Sequence, residues 1–206
     1  FSLPADRVAV VQDGGAILLA EVALAALRAR GEAAGRIVAG AVVGLEPQAD
    51  HVVVRTAEET WRADRVILAA GPWLSRFVPE LAPVLTVTRQ TVGWFAPARP
   101  ETAGLDALPI FILERSADDI VYGFPDFEGR GVKAAPHNHG PRVEADAWEP
   151  PASDAELAAV SAALADLIPG AAGPITDRDV CLYTNTAPAD RRPDAGEEFI
   201  IDRWPG

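Results

Sequence analysis

The chain has 206 residues, of which 49% are hydrophobic and 23% charged, enough apolar content to core one large domain or two small ones. Its formal charge of −12 and pI near 4.6 argue against nucleic acid or an anionic membrane surface as a partner. The most apolar stretch, residues 16–29, is broken by Glu21 and Arg28 and is too short to span a bilayer.

A secretory signal is not read either, because Asp6 and Arg7 are followed by only a brief apolar run. One cysteine excludes an intrachain disulfide and fits a reducing, cytoplasmic compartment. The chain contains no methionine, and Trp204-Pro205-Gly206 come soon after the apolar run Phe199-Ile200-Ile201. It is therefore expected to be an internal fragment of a longer protein.

In chain order, residues 17–30 carry helical spacing, with Leu18, Val22, Ala25 and Ala29 on one side and Gly31 at the expected C-terminal cap. Two β-type runs come next, at 36–45 and 51–56, joined by a turn at Pro47-Gln48-Ala49-Asp50. Residues 63–71 form a continuous apolar run of the kind buried on both faces of a sheet. A short helix is expected from Pro72 to about Glu80, since proline suits a first helical turn.

Beyond Pro83 the runs 84–95, 109–115, 119–124 and 131–135 read as successive strands of an antiparallel sheet. Residues 153–167 read as a helix capped by Ser153 and ended by Pro169-Gly170. Two more strands are expected at 178–184 and 198–202, with an exposed loop between them at 187–198. The fold class is thus a mixture of α+β and α/β. A first portion of helix, hairpin and buried strand precedes a second that is mainly antiparallel sheet with a flanking helix.

Lys133 is the only lysine, with arginine at every other cationic position. Arginine is always charged, whereas a lysine can shift its pKa and exchange protons, so the exception invites an explanation, although on composition alone it reads as a solvated lysine on a strand. If the strands flanking 125–130 pair so that opposite positions sum to 255, Tyr122 faces Lys133, and the two-residue period adds His137 to the same face. One face would then present a phenol, an amine and an imidazole, or else an ordinary Tyr–Lys pair on a solvated sheet.

Cys181 and Tyr183 share a face of the later strand, and on residue type alone the cysteine reads as a small buried hydrophobe. Gly129-x-Gly131-x-x-Ala134 is no dinucleotide fingerprint, because the residues after it are β-like rather than helical. His137-x-His139 lacks the companions of a metal site, so no metal is expected.

Together these motifs resemble a known family. Residues 63–73, ending in Gly71-Pro72-Trp73, resemble the strand and glycine turn closing the flavin domain of D-amino-acid-oxidase-like flavoproteins. The ordered series Arg89-Gln90-Thr91-Val92-Gly93-Trp94, Tyr122-Gly123-Phe124-Pro125, Gly131-Val132-Lys133-x-x-x-His137 and Cys181-Leu182-Tyr183-Thr184-Asn185-Thr186 is similar to the monomeric sarcosine oxidase and N-methyltryptophan oxidase family.

The resemblance implies an FAD-dependent enzyme that oxidises a secondary or N-methylated amine to an imine and passes the electrons to oxygen, giving hydrogen peroxide. It implies that Cys181 bonds covalently to the flavin, that Gly71 and Trp73 belong to the cofactor side, and that Lys133 promotes the reaction with oxygen. Tyr122, His137 and Tyr183 would line the substrate pocket. On this basis residues 1–83 are a partial FAD-binding domain, 84–197 a substrate-binding domain, and 198–206 the start of a return into the former.

The family's N-terminal glycine fingerprint and its C-terminal glycine-rich segment are missing, so the isolated chain is expected to be catalytically silent. The alternatives are a glycine-oxidase-like or D-amino-acid oxidase, and a binding module that keeps the substrate-domain fold without redox chemistry.

Overall fold

The computed structural model describes residues 1–117, 119–137, 140–147, 151–186 and 199–203. They fall into two compact units, one formed by Phe1–Ile17 and Pro83–Glu198, the other by Leu18–Ala82 and Phe199–Gly206.

The larger unit is built on a five-stranded antiparallel sheet with strands β4 (Thr86–Phe95), β5 (Phe111–Ser116), β6 (Asp119–Phe124), β7 (Val132–Pro136) and β8 (Ile175–Asn185), in the order β5-β6-β7-β4-β8. Each strand lies within two residues of its expected start except β8, which begins three residues earlier and pairs with β4 along almost its whole length. The helix α3 (Asp154–Leu167) covers one face of this sheet.

Helix α3 starts with a complete capping box. The Glu156 N–H donates to Ser153 Oγ at 3.3 Å, and the Ser153 N–H donates back to Glu156 Oε2 at 2.8 Å. Its inner side, Leu157, Val160 and Leu164, packs on Phe95, Leu113, Val121 and Val132 to form the core. Gly93 sits beneath Leu157, whose Cδ1 would lie 2.9 Å from a Cβ there, so the helix rests closely on the middle of β4.

Residues 1–17, which the sequence reading groups with the first portion, pack in this unit. The Arg7 guanidinium donates to the carbonyls of Glu114 and Arg115 at 3.1 and 2.9 Å, and the rings of Phe1 and Phe111 meet edge to face at 6.2 Å.

The smaller unit holds helix α1 (Ala20–Ala34), a three-stranded antiparallel meander of β1 (Val42–Pro47), β2 (Val52–Thr56) and β3 (Thr60–Ala63), and the one-turn helix α2 (Leu74–Phe77). Several expectations are corrected here. Helix α1 begins three residues late and passes through Gly31 to a cap at Gly35, whose N–H bonds the Gly31 carbonyl. An interior glycine costs about 1 kcal/mol relative to alanine, which the flanking helix formers and the Arg28–Glu32 ion pair outweigh.

Strand β1 starts at Val42 rather than 36 because its partner β2 has only five residues to offer. The apolar run 64–70 is not a strand. The meander ends with β3, no strand among the described residues pairs with that run, and Ile67 is 92% exposed. The helix expected over 72–80 is broken into a 3-10 turn at Gly71–Trp73, α2, and a second 3-10 turn at Pro79–Leu81. Val78 lies at φ −133°, ψ 77° because the residue before a proline avoids the helical region. Residues 199–202 are likewise not a strand, with Phe199 and Ile201 almost fully exposed. The loop expected at 187–198 lies outside the described residues.

Candidate active site

The sheet's second face gathers the candidate site residues. Strand β4 alternates, turning Arg89, Thr91 and Gly93 towards α3 and Thr88, Gln90, Val92 and Trp94 to the other side. Cross-strand partners share a face. Thr88 lies opposite Tyr183, Gln90 opposite Cys181, Trp94 opposite Lys133, and Lys133 opposite Phe124.

The β6–β7 pairing sums to 257, not 255. Tyr122 faces Ala135, and Phe124 faces Lys133. The cause is a longer loop, held by the Gly131 N–H donating to Asp126 Oδ1 at 2.9 Å, with Glu128, Gly129 and Gly131 all at positive φ. Gly131 has φ 95°, and a Cβ there would come 2.6 Å from the Phe95 carbonyl oxygen, so no other residue fits. A slip of two residues preserves facing, whereas a slip of one would have reversed it.

The face therefore gathers Tyr122, Lys133, His137, Cys181 and Tyr183. The hydroxyls of Tyr122 and Tyr183 lie 3.4 Å apart, although their strands are separated by β7 and β4, so the two side chains reach over those strands to meet. His137 stacks edge-on to Tyr122 with centroids 5.9 Å apart, and its backbone N–H donates to the Ile120 carbonyl at 2.9 Å. Lys133 Nζ lies 5.3 Å from the Trp94 ring centroid and 5.6 Å from that of Phe124.

Burial, then the bond to Tyr183, pushes the Tyr122 phenol far above its ordinary value, so it stays protonated and can donate a hydrogen bond. Cys181 is exposed, not the buried hydrophobe its residue type suggests. Partial desolvation by its neighbours raises the thiol's pKa, the Asp179 carboxylate adds to this, and the Lys133 ammonium opposes both.

Gln90, Trp94 and Phe124 also belong to this face, although their motifs gave them no role. Gln90 is 3% exposed. Its Nε2 donates to Thr88 Oγ1 at 2.8 Å, which also accepts from Asn185 Nδ2 at 3.0 Å, while its Oε1 has no donor among the described residues. The available signal was the two-residue period of β4, but its pairing with β7 could not be read from strands so far apart in sequence.

Gly71 and Trp73 lie outside this sheet, in the smaller unit, where Gly71 takes φ 51° and opens the 3-10 turn that includes Trp73. No group of three or more His, Cys, Asp or Glu side chains among the described residues could hold a metal, and His139 lies outside them. No helix among the described residues is long and apolar enough to cross a membrane.

An exposed thiol, an ammonium and two phenols on one open face fit a flat aromatic cofactor. Comparison with known proteins points the same way. The chain is 29% identical over 209 residues to monomeric sarcosine oxidase of Bacillus sp. (strain NS-129), covering 98% of this chain and 52% of that protein. It is 34% identical over 158 residues to N-methyl-L-tryptophan oxidase of Salmonella heidelberg (strain SL476), covering 75% and 39%.

Among solved structures, the open form of NikD, an unusual amino acid oxidase essential for nikkomycin biosynthesis, superposes with a TM-score of 0.66 at 24% identity, over 82% of this chain and 45% of that one. That likeness concerns the fold. The chain spans about half the length of the curated relatives it matches over nearly all of its residues. A family model described as FAD dependent oxidoreductase matches residues 3–206, and the chain belongs to that DAO family of flavoproteins.

Proposed function

We propose that the chain forms much of the substrate side of an FAD-dependent amine oxidase acting on a small secondary or N-methylated amine, with residues 84–197, onto which residues 1–17 pack, as its substrate-binding domain and the rest of 1–83 together with 198–206 contributing to its FAD-binding domain. The observation that carries this reading is the gathering of Tyr122, Lys133, His137, Cys181 and Tyr183 on one open sheet face. The curated relatives, named for oxidation of sarcosine and N-methyl-L-tryptophan, support the substrate class.

Bound FAD would supply the two-electron acceptor for converting an amine to an imine, with oxygen as the terminal acceptor and hydrogen peroxide as product. Cys181 would hold the cofactor through its exposed sulfur. Tyr122 and Tyr183 orient the substrate, with Tyr122 kept as a neutral donor by burial and by its partner phenol. His137, fixed edge-on against Tyr122, bounds the amine's position. Lys133 places a fixed positive charge beside the reacting groups, where it stabilises the negative charge that develops as oxygen is reduced.

The test is the intact protein loaded with FAD. Anaerobic addition of an N-methyl amino acid should bleach the flavin absorbance, and air should restore it with release of peroxide. Acid precipitation should leave the yellow colour on the protein and remove it from a Cys181→Ser variant. Absence of bleaching with every secondary amine tried would end the amine-oxidase reading. Complete release of flavin by acid would end the covalent one and favour a glycine-oxidase-like enzyme.

A further inference from the structure

Four residues form one row across the open face: Phe124 on β6, Lys133 on β7, Trp94 on β4 and Asp177 on β8, each directly opposite the next. The Lys133 ammonium sits 5.3 Å from the Trp94 ring centroid and 5.6 Å from that of Phe124, within cation–π range of both. Among the described residues Lys133 makes no ion pair, although two carboxylates, Asp177 and Asp179, share its face.

Arg130 accounts for Asp177, the carboxylate in the row. It enters from the loop before β7, stands 4.5 Å from the Trp94 centroid, and donates from Nη2 to Asp177 Oδ2 at 2.9 Å. Asp177 is thereby neutralised by a cation other than lysine, and its carboxyl is held below the usual range chiefly by that bond. A carboxylate engaged by an arginine competes weakly for a second cation. The ammonium is left to the rings, which attract it without cancelling its charge.

We propose that Trp94 is the positioning residue of the site. With Phe124 it forms an aromatic clamp for the Lys133 ammonium, and Arg130 keeps Asp177 from drawing the lysine into an ion pair. The clamp leaves an ammonium outside any ion pair among the described residues on the face that carries both phenols, the thiol and the Asp179 carboxylate. Arginine at position 133 would be longer and would meet Arg130 at the same ring, which explains why the only lysine of an arginine-biased chain stands here. The functional consequence rests on the amine-oxidase reading above, but the geometry does not.

Because the chain contains a single lysine, protein labelled with [ε-13C]lysine gives one lysine signal, read without any cofactor. Ring currents from Trp94 and Phe124 should move its ε-proton resonance upfield of a solvated lysine. Trp94→Leu should return most of that displacement, Trp94→Phe should keep much of it, and Arg130→Gln should reduce it as Asp177 captures the ammonium. An unchanged thermal transition certifies each variant as folded. Trp94 is only partly buried, so the substitution spares the core. A lysine signal at the solvated position in the unaltered chain, or one that a folded Trp94→Leu variant leaves in place, overturns the clamp.

In the FAD-loaded protein, Trp94→Leu should slow reoxidation by air about two- to fivefold, the range a cation–π contact commands, and should slow flavin reduction by substrate less than that. If the lysine signal obeys the clamp but reoxidation does not slow, the clamp stands and the oxygen-side role of Lys133 falls.

Discussion

The two faces of the five-stranded sheet are made from the same strands by simple alternation, yet they have opposite characters. Towards α3, β4 presents Thr91, Gly93 and the 6% exposed Arg89, which pairs with Glu156 of the capping box. Away from α3 the same strand presents Gln90 and Trp94 among two phenols, an imidazole, an ammonium and a thiol. The covered face buries Leu113, Val121 and Val132 under α3 and pairs its Arg89 with Glu156. Among the described residues, the open face leaves a buried acceptor orphaned and a cation unpaired by carboxylate. The packed core thus lies on one side of the sheet and the candidate site on the other, and each substitution should register mainly in one of the two.

The sharpest contrast comes from the core. Leu164 is fully buried beneath α3, and Leu164→Ala should cost about 2–5 kcal/mol in denaturant unfolding. A comparable loss from Tyr183→Phe would break the division, because that change deletes one hydroxyl on the open face.

Next in size is the cap. Ser153→Ala removes the oxygen that accepts the Glu156 N–H and should lower stability by about 1 kcal/mol. It should also change the acid limb of the stability profile. The Ser153 backbone N–H and side chain, followed by Arg89, hold the Glu156 carboxyl below its ordinary value. Its contribution is therefore fully present above the unfolded carboxylate range, near pH 4.3, and is lost as pH falls through the folded value. Unfolding midpoints measured from pH 6 down to 2 should show a shallower acid loss in the variant.

The smallest effect lies on the open face. Cys181 is the only cysteine, so alkylation by iodoacetamide reports on it alone. Asp179→Asn removes a negative charge that raises the thiol's pKa, and should speed alkylation near neutral pH about two- to threefold with no change in thermal midpoint. An unfolding transition displaced as far as by Ser153→Ala would mean that this face, too, holds the fold together.

How much of this was legible in the sequence depended on how local each signal was. Strands β4 to β7 and helix α3 with its Ser153 cap were readable because alternation, turn residues and capping are short-range patterns. The face shared by Tyr122, Lys133 and His137 was readable by period alone and survived a pairing error of two residues, caused by the Asp126–Gly131 bond that lengthens the turn. The nonlocal features were not readable. The pairing of β4 with β7 and β8, which brings Trp94 to Lys133 and Gln90 to Cys181, joins segments separated by about forty to ninety residues. Residues 64–70 failed for a related reason: an apolar run specifies burial but not the strand that must pair with it.

On the proposed reading the open face is the oxygen- and substrate-facing wall of a flavin site, with Lys133 supplying the charge. Stopped-flow measurement of the two half-reactions in an FAD-loaded Lys133→Met variant tests it most directly. Flavin reduction by an N-methyl amine should be largely preserved, and reoxidation by air should slow by about a hundredfold or more. Equal slowing of both half-reactions, or reoxidation at the unaltered rate, would contradict the account.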